Sequence, residues 1–271
     1  VDVSISKTTG LVSYIDVDNK PMLKNGADLK PDFWRACTDN DFGSNTQTLS
    51  AAWNNPTIEL KDFTQKEDGS VVADLYVKEA DATLKLTYSL NDKGELMVSQ
   101  DMQVNPNAEN KPNLLRYGME LQMPKEYDKV VFYGKGPHEN YVDRNNSEML
   151  GVFTQQVKDQ YYPYIRPQES GNKTEVRYWK VLAQSGNGLE FFSNEPMECS
   201  CLNYLTSDLY RGAVKHQEHS GDLIPRDLTS VHVSKRQMGL GCINTWGELP
   251  MKKYMMPYQN YSFKFVIRPV R

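Results

Sequence analysis

The sequence predicts an all-β chain, a large antiparallel β-sandwich with few short helices. Three observations predict it. Apolar and polar residues alternate with period two along most of the chain. The segments between these runs are short and carry turn formers, as in Asn91-Asp92-Lys93-Gly94. No helical pattern of ten or more residues lies between runs, as the crossovers of a parallel sheet would require. At 271 residues the chain can bury a sizeable core unaided, and no repeat, low-complexity tract or linker divides it. A single domain over 1–271 is expected.

Taken in order, Val1-Asp2-Val3-Ser4-Ile5 reads as a strand already under way. With no initiating Met and no apolar leader behind a basic region, the chain is expected to be a piece of something longer or a processed product. Val71–Val77 and Ala82–Tyr88 alternate cleanly. Leu96, Val98, Gln100, Met102 and Val104 form one face of a strand closed by Asn105-Pro106-Asn107. Leu115, Tyr117, Met119, Leu121 and Met123 form another, closed by Pro124. Further strands are expected at 128–133, 176–183, 188–193, 199–205, 236–242 and 260–267. Helical signal is confined to Thr206-Ser207-Asp208, placed to cap a short helix through Arg211, and to Thr48–Asn54.

Composition excludes several function classes. The net charge is −4, without the basic excess that binding to nucleic acid demands. The longest apolar runs fall far short of the ~20 residues of a membrane span. The four cysteines in 271 residues are too sparse for a disulfide scaffold, and Cys199 and Cys201 read as buried strand positions. With His216 and His219 they offer four soft ligands, but both spacings are too tight for zinc, and no metal site is expected.

Four loops are too rich in aromatics, glycines and charges to be mere connectors: Trp34–Asn45, Tyr133–Arg144, Tyr161–Asn172 and Gly239–Gly247. Functional groups concentrate on loops held by a rigid scaffold. Trp246, among Gly239, Gly241, Asn244 and Gly247, offers either a flat platform for a sugar face or a plug for the end of the sandwich. Asp39, Asn40 and Asp41 could hold sugar hydroxyls or only satisfy their own backbone in Asx-turns, and they lack the spacing of a calcium loop. No spacing singles out a glycosidase carboxylate pair, and no G-x-S-x-G elbow is present. His138 and Glu139 adjoin, but neighbours on a strand face opposite ways. No self-sufficient catalytic centre is legible.

The runs RACTDNDFG, GKGPHENYVDR, YYPYIRPQESGNKTEVRYW and QMGLGCINTWG carry a resemblance covering about Gly10 to Arg271. In their order and approximate separations they resemble the C-terminal domain of glycoside hydrolase family two β-galactosidases, which also occurs as the small chain of two-subunit enzymes. The resemblance implies a large antiparallel β-sandwich similar to galactose mutarotase. It implies that the catalytic glutamates and the family's Mg and Na ions lie on other domains, the glutamates on a preceding TIM barrel. No catalytic residue and no cofactor is therefore expected in this chain. Trp246 matches the tryptophan extended over the active-site mouth as a platform for the aglycone sugar. Gly43 matches the hinge of a mobile loop, here about Gly43 to Ala52, where a glycine can cross backbone regions that other residues avoid.

Asp39 and Asn40 are carried as candidate substrate contacts, with loop fixing as the competing role, shared by Arg35 and Asp41. Glu139, Arg144 and Glu169 are expected to pin loop to sheet through charged hydrogen bonds. Cys242-Ile243-Asn244 depart from the doubled glycine and acidic residues that relatives often carry there.

The implied role is a non-catalytic domain that completes the active-site mouth of a retaining β-galactosidase. The implied partners are the catalytic barrel, on the same chain or a large subunit, and a β-galactoside. No nucleic acid or membrane is expected, and cytoplasm and periplasm both remain open. An apolar patch should be exposed where the barrel docks. Three rivals make different demands. An aldose 1-epimerase needs a His and a Glu converging in a cleft, drawn from His138, His216, His219 or His232. A stand-alone carbohydrate-binding module needs sugar affinity without the barrel. A purely structural domain needs neither.

Overall fold

The computed structural model describes residues 1–241, 243, 244 and 247–271. Three short strands, β1 (Asp2–Ile5), β2 (Val12–Val17) and β3 (Lys20–Pro21), form a small sheet of their own. The main sheet is built from β4 (Lys30–Asp32), β5 (Ile58–Gln65), β6 (Val71–Val77), β7 (Ala82–Leu90), β8 (Leu96–Val104) and β9 (Arg116–Met123), followed by β10 (Lys129–Gly136), β11 (Met149–Gln156), β12 (Lys173–Leu182), β13 (Gly188–Leu202), β14 (Thr229–Gln237) and β15 (Tyr261–Val270). Its order is β11-β10-β12-β13-β15-β8-β7-β6-β5, and a branch adds β14 on β13, β9 on β14 and β4 on β9. Pairing between these strands is antiparallel throughout.

The long β13 links the two parts of this curled sheet. Gly188–Phe192 pairs with β15, and Glu198–Leu202 pairs with β14. Between them Asn194–Pro196 run exposed. The branch folds over the main path, because the Tyr117 hydroxyl on β9 donates to the carbonyls of Gln100 on β8 (2.8 Å) and Tyr261 on β15 (3.1 Å). Aromatics fill the space between layers: the Phe33 ring lies 5.3 Å from Trp53 and 6.1 Å from Tyr117. The buried Trp53 indole donates to the Pro112 carbonyl at 2.9 Å, so burial leaves no orphan donor there.

Clean alternation locates β6, β7, β8 and β9 well. Elsewhere the structure corrects the expectation. The stretches 188–193 and 199–205 are one strand, and the strand expected at 236–242 ends at Gln237 after beginning at Thr229. Thr229–Ser234 are buried on both faces, including Ser230, His232 and Ser234, so polarity there does not mark a solvent face. β2, β3, β4, β5 and β11 fall outside the predicted set. Asp39–Gly43 is a short helix, α1, instead of a run of Asx-turns. Two more single-turn helices follow, α2 (Thr46–Leu49) and α3 (Thr206–Leu209), and Leu205 stands at the cap position expected of Thr206.

Candidate functional site

The four motif loops close into a ring at one end of the sandwich, each touching two others. The first loop meets the fourth at Arg35, which donates to the Gly239 carbonyl at 3.2 Å. They meet again at Gly43 and Gly247. A Cβ added to Gly247 would lie 2.5 Å from the Gly43 Cα, and Gly247 itself has φ +84°. Gly241 also faces Asn40, whose Cβ would be 3.7 Å from its own. The second loop reaches the fourth through Asp143, which accepts from the Gly241 N–H at 3.0 Å. Second and third loops are joined by Glu139, which accepts from the Gly171 N–H (2.7 Å), from Arg144 (2.7 Å) and from the Tyr164 hydroxyl. Third and first are joined by Arg166, which donates to Asp39 at 2.7 and 2.9 Å.

The helix α1 has a buried side and an exposed side. Thr38 caps it by accepting from the Asp41 N–H, while the Asp41 carboxylate accepts from the Thr38 N–H at 2.7 Å, a reciprocal capping box. Asp41 also receives both guanidinium arms of Arg35, at 2.5 and 3.1 Å, and both side chains are buried. Burial works against the Arg35 charge, but Asp41 outweighs it and holds the guanidinium firmly protonated. On the outer side Asp39 is 56% exposed and shared by Arg166 and Lys215, the latter at 2.6 Å. Partial burial opposes its ionisation, yet these two cations keep its carboxyl below the usual range. Arg166 itself stacks 4.8 Å over the Phe42 ring.

Gly43 closes α1, and the left-handed backbone falls two residues later, at Asn45 (φ 58°). What the geometry requires at this point is the close backbone approach of Gly247. The segment expected to move, Gly43–Ala52, is folded as α2 and the start of a 3-10 turn, anchored by buried Thr46, Gln47 and Ser50. Trp246 lies outside the described residues, as do Cys242 and Thr245. Gly239, Gly241, Asn244 and Gly247 flank it in sequence.

Beneath the ring lies a second buried polar cluster. Arg116 donates to Asp32 at 2.7 Å and to Glu169 at 3.3 Å, and lies 2.7 Å from His232 Nδ1. Burial opposes ionisation of Asp32, but Arg116 and His232 outweigh it and hold the carboxyl far below its ordinary range. At Glu169 burial prevails over the nearby cations and the carboxyl is pushed up. Asp32, Glu120 and His232 could in principle ligate a metal ion, with ligand atoms within 4.8 Å of one another. The Arg116 guanidinium already bonds the same Asp32 oxygen and imidazole nitrogen, and its charge opposes a metal there.

Cys199 and Cys201 are buried on β13 with burial pushing both thiols up, whereas His216 and His219 are exposed. His232 Nδ1 lies 3.6 Å from Glu120, so a His and a Glu do converge, although no motif marks them. Glu120, but not the buried His232, lines a groove of about 940 Å³ together with Lys30, Asp32, Trp34, Gln122 and Tyr210.

Glu169 pins its loop to the sheet through Arg116 on β9, as expected, whereas Glu139 and Arg144 join the second loop to the third instead of to the sheet. Arg166, Lys215 and Asp143 were not singled out in advance. Asp143 sits in the GPHENYVDR run, but only the fold reveals that its partner is 98 residues away.

Residues 1–267 match the sequence model of the family described as β-galactosidase small chain. A β-galactosidase of Priestia megaterium is 30% identical over 266 residues, covering 96% of this chain and 25% of the relative. One from Halalkalibacterium halodurans is 30% identical over 276 residues, covering 99% and 26%. One from Lactobacillus delbrueckii subsp. bulgaricus is 32% identical over 246 residues, covering 88% and 23%. The chain thus spans about a quarter of the length of these curated relatives. A galactose mutarotase related enzyme from Lactobacillus acidophilus superposes with a TM-score of 0.54 at 10% identity, covering 98% of this chain and 93% of that one. At that identity the likeness is one of fold: an antiparallel sandwich of galactose mutarotase type.

Proposed function

The chain belongs to the β-galactosidase small-chain family, and from that premise we propose that it is a non-catalytic domain completing the active-site mouth of a retaining β-galactosidase. Its partner is the catalytic barrel region, and its substrate contact is the aglycone of a β-galactoside. The observation that carries this reading is the ring: the four loops bearing the motifs contact one another, and the fourth approaches Gly43 and Asn40 of the first through Gly247 and Gly241. In this reading Trp246 supplies the flat apolar platform, and Asp39 and Asn40 are further contacts to the substrate. The buried Arg35–Asp41 pair fixes the helix that presents them. Asp41 and Glu139 in the ring are already committed to a fixed cation or a backbone donor, which suits a scaffold better than a proton-transfer site.

One observation favours a second reading. His232 and Glu120 meet beside a groove, as an aldose 1-epimerase would need. Against it, Arg116 and Asp32 hold the His232 Nδ1, the nitrogen nearest Glu120.

The test is to mix the chain with the separately produced upstream region and follow hydrolysis of lactose and of an aryl β-galactoside. Activity only in the mixture, with Trp246→Ala harming lactose more than the aryl substrate, supports the completing-domain reading. Complementation indifferent to Trp246 overturns the platform role. Anomer exchange of free galactose by the chain alone, lost in His232→Gln, would establish the epimerase reading instead. Sugar affinity of the chain alone, without either activity, would point to a carbohydrate-binding module.

A further inference from the structure

The second loop meets the fourth, in whose sequence Trp246 lies, through the Asp143 carboxylate. Its Oδ2 accepts from the Gly241 N–H at 3.0 Å. The same carboxylate lies against Gly239, where an added Cβ would come within 2.5 Å of Oδ2. Gly239 is held on two further sides: its N–H donates to the Tyr254 carbonyl at 2.9 Å, and its carbonyl accepts from Arg35 at 3.2 Å. Here the chain also comes back to itself, since a Cβ on Gly241 would lie 3.0 Å from the Glu248 carbonyl oxygen. Gly241 and Glu248 thus form the neck of a short loop. Asp143 holds one side of that neck, and the contact of Gly247 with Gly43 holds the other.

Asp143 is itself firmly set. It lies in the turn Tyr141–Arg144, where the Arg144 N–H donates to the Tyr141 carbonyl at 2.7 Å and the Tyr141 N–H to the Arg144 carbonyl at 3.3 Å. Tyr141 is buried, the Arg144 guanidinium lies 5.0 Å over its ring, and Arg144 is tied to Glu139. A group supported in this way transmits its position to what it holds. Its bonding is uneconomical for stability alone. Oδ2 takes a neutral backbone donor, and Oδ1 is buried with no hydrogen-bond partner among the described residues. An unmatched buried acceptor costs free energy, so what the arrangement delivers is placement of the neck.

We propose that Asp143 is the positioning residue of the aglycone platform. By fixing the neck at Gly241 it sets where the segment carrying Trp246 stands, and so how well a sugar is accepted as aglycone. Asp143 touches no substrate in this role and acts through the backbone of the fourth loop. The role rests on the reading of Trp246 as the platform, and it adds a determinant from a different loop.

The test uses the chain assembled with its catalytic region and compares kcat/KM for lactose and for an aryl β-galactoside. The variants are Trp246→Ala, Asp143→Ala, Asp143→Asn and the double variant Asp143→Ala/Trp246→Ala. Asp143→Ala should lower lactose hydrolysis at least about tenfold more than aryl hydrolysis, as a displaced platform would. Asp143→Asn, whose amide oxygen still accepts from Gly241, should recover most of that difference. The double variant should discriminate no more than Trp246→Ala alone, because both changes act through one group. Equal losses on the two substrates, or additive losses in the double variant, overturn the proposal. If Trp246→Ala itself treats both substrates alike, the platform reading fails and the role of Asp143 falls with it. If only Asp143→Ala does so, the platform stands and the role of Asp143 alone fails. Hydrogen exchange of the same assemblies reads the neck without any activity. In Asp143→Ala the amides of Gly239–Gly241 should exchange at least about tenfold faster than in the wild type, while those of β6 to β8 keep their rates. Unchanged exchange at the neck overturns the proposal. So does faster exchange throughout the sheet, since Asp143 would then hold the fold and not the neck.

Discussion

The two sides of α1 place carboxylates two residues apart in opposite circumstances. Asp41 points inward, buried with Arg35 and doubly bonded to Thr38. Asp39 points outward, more than half exposed, and is shared by Arg166 and Lys215. The inner pair is a clamp: a buried charge cannot lose its partner without being stranded in a poorly solvated interior. The outer one is a latch, because solvent can replace either cation at little cost. A five-residue helix has too few hydrogen bonds of its own to persist, so its position depends on the clamp. Its outer face is thereby presented on a fixed base while its contacts stay exchangeable, which suits the rim of a binding site.

The sharpest way to break this contrast is to remove half of the clamp. Arg35→Met leaves the Asp41 carboxylate buried and unpaired, and should cost about 3–5 kcal/mol in urea unfolding. A loss below about 1 kcal/mol would mean that water reaches Asp41 and that the two sides of α1 do not differ.

The next effect concerns Glu198, a second buried acid near the ring. Burial, partly offset by the hydrogen bond from Asn172, pushes its carboxyl up to about 7 from an ordinary 4.5. The folded state then binds a proton more tightly than the unfolded one. Its contribution is full below about 4.5 and is lost as pH rises to about 7, by at most about 3 kcal/mol. Glu198→Gln should flatten the stability profile between those limits and leave the protein more stable above them. An unchanged slope in thermal or urea unfolding against pH would refute the assignment.

Gly247→Ala tests how closely the fourth loop sits on α1. The new methyl would meet the Gly43 backbone from a left-handed conformation, and a loss of about 1–3 kcal/mol is expected. A neutral substitution would show that the two segments do not press together in solution. The smallest effect belongs to the latch. Asp39→Asn should change stability by no more than about 1 kcal/mol, and the change should shrink further in high salt. If it instead matched Arg35→Met, latch and clamp would be one unit.

How much could be read in advance differs from region to region. β6 to β8 have one buried and one wetter face, so period two is written directly into their residues. β13 and β14 are buried on both sides for much of their length, and polar groups such as His232 and Glu198 are paired inside, so polarity misleads there. The loops were legible as unusual through their glycines, aromatics and charges. Their partners were not. Arg35 and Gly239 are 204 residues apart, and Asp39 and Arg166 are 127 apart.

The sequence by itself therefore determined the strand-rich antiparallel class, the four loops that matter and the family to which the chain belongs. All three depend on local alternation, turn chemistry and runs of specific residues, which survive in one dimension. Only the tertiary structure decided which carboxylate of α1 is a clamp and which a latch. It alone brought the glycines of the first and fourth loops into contact. Burial and pairing set these properties, and both depend on residues that the chain brings together only when it closes.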